Sequence, residues 1–133
     1  MVIRFGGLTM KNEFIPYELA LELKQLGFDE PCFGYYNSGV KNPLEVEYSI
    51  PYDHKEYLSA PLYQQAFRWF RDVHNLKGGI EYIGGLTPET TWWDIYVVGH
   101  FNTNYKEMSM NYQPYEEAEL ACLKKLIEIV KTK

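Results

Sequence analysis

The chain has 133 residues, 46% of them apolar and 23% charged, enough for one soluble globular domain with a core of its own. Thirteen basic against eighteen acidic residues leave a net charge of −5, which counts against general binding to a nucleic-acid backbone. No apolar run approaches the roughly 18 residues that a membrane span needs.

Residues 1–13 read as a flexible N-terminal extension or an edge strand, without the sustained apolar core of a signal peptide; Met10 is a second possible start. Residues 14–133 read as a single α+β domain. A helix opens at Pro16, where the missing N–H of proline costs nothing. Leu19, Ala20, Leu23 and Leu26 share its inner face, and Gly27 with Phe28 supplies a left-handed ending. A short strand, Cys32 to Tyr36, and an alternating one, Leu44 to Ile50, then form a hairpin. Pro51 to Leu58 reads as a loop.

The second helix spans Ser59 to Leu76, with Ser59 as its cap. Leu62, Tyr63, Ala66, Phe67, Phe70, Val73 and His74 make its apolar face at 100° per residue. Gln64, Arg68 and Arg71 lie opposite, and Trp69 sits on the border beside Gln65. Lys77-Gly78-Gly79 ends it. Ile80 to Gly84 and Thr91 to His100 are the third and fourth strands. In the latter, Trp93, Ile95 and Val97 take one face, and Trp92, Asp94, Tyr96 and Val98 the other. With both faces largely apolar, it reads as a central strand.

A polar loop, Asn102 to Gln113, leads to a last helix from Tyr115 to about Val130. Its inner face is Ala118, Cys122, Leu123, Leu126, Ile129 and Val130. Glutamates near its start and lysines near its end complement the helix dipole. The expected architecture is a four-stranded, mainly antiparallel sheet with three helices, in the order α–β–β–α–β–β–α.

Little here points to a reaction. Cys32 and Cys122, the only two cysteines, sit in apolar surroundings and read as buried, reduced thiols of a cytosolic protein. His54, His74 and His100 are too far apart for a local metal motif. A constellation of His54 and His100 with Asp94 is conceivable, but no nucleophile, base and orienter are grouped along the chain. No catalytic residue, metal or cofactor is assigned.

Binding is better supported. Aromatic residues make up 17% of the chain, twelve of them tyrosines, and Tyr carries both apolar area and a polar tip. Arg68 and Arg71, with Gln64 a turn earlier, could hold a phosphate or carboxylate. Trp69, Tyr35, Tyr36 and Trp92 could stack on a flat ring. A solvated helix face, with Arg71 paired to a glutamate or Arg68 to Asp72, is the simpler account of the arginines. Tyr48, Tyr57 and Tyr96 join Tyr35, Tyr36 and Trp92 as aromatics expected outside the core, which would also suit a protein interface.

Three stretches, FIPYELALELKQLGFDEPCFGYY (14–36), APLYQQAFRWFRDVHNL (60–76) and YEEAELACLKKLIEIVK (115–131), together resemble small uncharacterised proteins encoded by bacteriophages, prophages and Bacteroidetes-type genomes. The resemblance covers about two fifths of the chain and transfers no activity. It implies an accessory phage protein acting in the cytoplasm of a bacterial host. The leading expectation is therefore a non-catalytic binding protein, in its narrower form a counter-defence protein that sequesters a nucleotide-type signal. The alternatives are a protein–protein interaction module, homodimeric or binding a host protein, and a small hydrolase using His54 or His100.

Overall fold

The computed structural model describes residues 4–5, 8–9, 13–37, 46–47, 57–87, 89–99, 105–106 and 112–132. The chain divides into two compact units, Met1–Gln65 and Ala66–Lys133.

In the first unit, β1 (Arg4–Phe5) pairs antiparallel with β2 (Leu8–Thr9). α1 (Tyr17–Gln25) follows Pro16 and buries Leu19, Ala20 and Leu23. It ends as its glycine requires. Gly27 takes φ 104°, a region closed to most side chains. The Phe28 N–H then bonds to the Leu23 carbonyl at 3.0 Å, and the Gly27 N–H to Lys24 O at 3.0 Å. This double closure satisfies carbonyls the helix end would otherwise leave free and folds Phe28 into the core.

β3 (Gly34–Asn37) pairs antiparallel with β4 (Tyr57–Ala60), Tyr35 opposite Ser59. On its other side Tyr35 exchanges backbone hydrogen bonds with Glu47 at 2.8 and 2.7 Å, a single bridge within the expected strand, of which Leu44, Glu45 and Tyr48 to Ile50 lie outside the described residues. Gly34 leaves room there. A Cβ on it would collide with Val46 Cγ1 and the Phe14 ring. The Tyr36 hydroxyl donates to Ile15 O at 2.6 Å and its ring meets Tyr17 edge-on.

α2 (Tyr63–His74) begins in the first unit and continues into the second. It is shorter than the expected Ser59 to Leu76. Ser59 belongs to β4 rather than capping the helix, because Tyr57 to Ala60 finds a ladder on β3 before Pro61, lacking an N–H, ends it. The helix stops at Asn75, whose φ of 53° is tolerated by asparagine better than by most residues. The Leu76 N–H then bonds to Phe70 O at 3.1 Å. Lys77-Gly78-Gly79, expected as the end of this helix, instead starts a strand.

In the second unit, β5 (Lys77–Gly84), β6 (Trp92–Val98) and β7 (Tyr105–Lys106) form one antiparallel sheet in that order. β6 is central, as its two apolar faces foretell. Its inner face, with Ile95 and Val97 buried, packs on α3 (Tyr115–Lys131). α3 buries Ala118, Cys122, Leu123, Leu126 and Ile127. Ile127 replaces the expected Ile129 and Val130, which are half-buried. Each fully buried Leu or Ile is worth about 1.5–3 kcal/mol.

The α+β class and the order α–β–β–α–β–β–α are those expected, with β1, β2 and β7 in addition. The four strands of that order do not join into one sheet among the described residues. They form two antiparallel pairs, β3–β4 and β5–β6. At Tyr35, β3 is flanked on both sides, by Ser59 of β4 and by Glu47.

Candidate functional site

The cleft of the first unit grows out of the α1 ending. Lys24 lies in the last turn of α1, and the Gly27 reversal carries Phe28 and Asp29 back beside it. β4 supplies the opposite wall with Tyr57, Leu58 and Ser59, and Ala20 completes the lining. The cleft measures about 210 Å³. Ala20, Phe28 and Leu58 are buried and make an apolar floor; Lys24 and Asp29 are exposed at the rim, and Tyr57 and Ser59 half-buried. Neither Lys24 nor Asp29 has a side-chain hydrogen bond or ion pair with another described residue. The ammonium can receive a phosphate or carboxylate, the carboxylate can accept N–H or O–H groups, and the tyrosine offers a ring face.

Behind β4, Cys32 is half-buried and donates to Glu30 O at 3.3 Å. Burial pushes its thiol up to about 11; hydrogen bonds with Ser59 and Gln65 act against this, and the Glu30 charge acts with it. Burial likewise pushes Cys122 up to about 12, opposed by a hydrogen bond with the Gly79 backbone and aided by the Glu119 charge. Both thiols are protonated at neutral pH and are poor nucleophiles. Gln65, which the helical periodicity leaves without a role, ties this segment to α2. Its Nε2 donates to Pro31 O at 2.9 Å and to Glu30 Oε1 at 3.3 Å.

The residues predicted for binding fare unevenly. Gln64, Arg68 and Arg71 are exposed on α2. Trp92 is 36% exposed on the outer face of β6. Three others are core, which corrects the expectation that Tyr35 and Tyr36 face outwards and that Trp69, on the border of its helix, is open to a ligand. Tyr35 and Tyr36 lie on a strand covered on both faces, and Tyr36 spends its hydroxyl on Ile15. Trp69 is only 4% exposed, its ring edge-on to Phe70 at 5.0 Å and to His74 at 4.8 Å. An indole held this way is unavailable for stacking on a ligand. Conversely Val73, assigned to the core, is 58% exposed, because it lies in the last turn just before the chain leaves the helix. Tyr35 and Tyr36 belong to the first unit, and Arg68, Trp69, Arg71 and Trp92 to the second. Tyr48, His54 and His100 lie outside the described residues. Among the described residues no cluster of three His, Cys, Asp or Glu could hold a metal ion, and no helix is long and apolar enough to cross a membrane.

Asp94 is the residue that the sequence understates. It sits on the outer face of β6 between Trp92 and Tyr96, opposite Glu81 of β5. Its flanking aromatics are 36% exposed, yet Asp94 is 2% exposed, and its Oδ1 has no hydrogen-bond partner among the described residues. A buried, unpaired carboxyl oxygen costs stability. Asp94→Val, apolar, close in size and suited to a strand, is expected to raise the unfolding free energy by about 1–3 kcal/mol, read from the urea midpoint. A loss of similar size would mean that the carboxyl group is paired.

Comparison with family models, curated proteins and solved structures finds no match to this chain.

Proposed function

We propose that this is a non-catalytic binding protein, and that the first-unit cleft holds a small ligand carrying an anionic group beside a flat ring. The observation that carries this reading is Lys24 and Asp29 at the rim of one apolar-floored cleft, with Tyr57 on the opposite wall. The two protonated cysteines support a binding role over thiol chemistry. A volume of about 210 Å³ suits one ring or sugar with its charged group rather than a whole dinucleotide. The narrower form of the reading follows the phage resemblance: a counter-defence protein that sequesters a nucleotide-type signal.

Calorimetry against mononucleotides, cyclic nucleotides and sugar phosphates tests the proposal, with native mass spectrometry of gently purified protein to detect a retained ligand. Wild-type protein is expected to bind at least one of them, and Lys24→Glu to weaken that binding by at least about tenfold, the loss of one ion pair to an anion. No heat and no retained ligand would overturn the reading. Binding unchanged in Lys24→Glu but lost in Arg68→Ala/Arg71→Ala would overturn the cleft and move the site to the arginine face of α2.

A further inference from the structure

We propose that the outer edge of β5 is a self-recognition site, through which a second copy of this chain adds its own β5 antiparallel and extends the sheet. The proposal is independent of the cleft. The strand order β5-β6-β7 leaves β5 at an edge, and no described strand pairs with its far side. All eight of its residues remain exposed or half-buried, whereas central β6 buries three of its seven. Proteins normally blunt such an edge with proline, very short strands, bulges or charged side chains. β5 is eight residues long and has no proline.

Its charges instead favour a copy of itself. Lys77 and Glu81 lie on one face of the strand with Gly79 midway between them. An antiparallel pair of β5 strands centred on Gly79 sets Lys77 of each copy directly opposite Glu81 of the other, twice over by the two-fold symmetry. Shifting the register by one residue loses both pairs. Opposite charges across neighbouring strands attract, and like charges repel. Glu81 already faces Asp94 on its inner side, so a lysine arriving on its outer side relieves a like-charge neighbour. Gly78 and Gly79 carry no side chain to obstruct the approach. The surface beside the seam is apolar, with Tyr96 lying over Gly79 and Val98 next to Lys77, both well exposed. The bulge between Tyr82 and Gly84 ends the regular ladder just beyond the paired stretch.

Sedimentation equilibrium on the full chain tests this. The wild type is expected to sediment as a dimer, and Lys77→Glu and Glu81→Lys each to weaken dimerisation by about tenfold or more. The double variant Lys77→Glu/Glu81→Lys restores opposite pairs and is expected to recover the dimer. Circular dichroism checks that each variant is folded. Lys77 is exposed, so that variant keeps the test alive even if a Glu81 variant loses structure. A monomeric wild type, single variants that dimerise unchanged, or a folded double variant that stays monomeric would each overturn the proposal.

Discussion

Phe70→Ala is expected to lower the unfolding free energy by about 3–5 kcal/mol, a large part of the roughly 5–15 kcal/mol that holds a domain together. Phe70 is fully buried, and its ring meets Trp69 at 5.0 Å and His74 at 5.8 Å. Its carbonyl also accepts the Leu76 N–H that closes α2. Removing the ring opens a cavity beside an indole that cannot collapse into it without losing its edge-on contact with His74. Urea unfolding followed by tryptophan fluorescence is the apt measurement, because the three tryptophans, Trp69, Trp92 and Trp93, all lie in the second unit. Far-ultraviolet circular dichroism reports the helices of both units. Val73→Ala, on the same helix but 58% exposed, is the control and should stay within about 0.5 kcal/mol of wild type. Equal losses from the two substitutions would mean that the buried arc of α2 is not the one described.

That arc shows how far the amino-acid pattern reaches. Helical periodicity identifies Tyr63, Ala66 and Phe70 as inward-facing, and they are buried. It cannot rank Trp69 against Val73, because their burial depends on what lies opposite and on where the helix stops. The stop is set by Asn75, a weaker signal than the two glycines that follow it. α1 was legible to its last hydrogen bond, since Pro16, Gly27 and Phe28 encode both ends locally. β4 was not. Tyr57 to Ala60 carries a short alternation, Leu58 and Ala60 inward, but it is four residues between a polar segment and Pro61, and its identity as a strand comes from β3, twenty residues earlier in the chain. The cleft is hidden for the same reason. Lys24, Asp29 and Tyr57 are each ordinary surface residues in sequence, and only the Gly27 reversal and the β3–β4 ladder bring them to one opening. Asp94 shows the opposite failure, because strand alternation places it outward between two exposed aromatics and gives no hint that it alone is buried.

The seating of β5 on α3 makes the other large effect. Leu126 is fully buried, and Leu126→Ala is expected to cost about 2–5 kcal/mol. Gly78 of β5 sits directly beneath it. A Cβ at Gly78 would come within 2.9 Å of both Leu126 Cδ1 and Cys122 Sγ. Both side chains are fully buried, so Gly78→Ala is expected to cost about 1–3 kcal/mol through overpacking, despite the entropy that alanine removes from the unfolded chain. The two changes should not add. In the Leu126→Ala background the new methyl enters space that the leucine has vacated, and only the cysteine sulfur still opposes it. The double variant is therefore expected to be more stable than the sum of the singles predicts by about 1 kcal/mol, within the range seen for residues in contact. Urea midpoints for the four proteins of this cycle measure the coupling. Strict additivity would place Gly78 and Leu126 out of contact, and β5 would then not lie against α3 at this point.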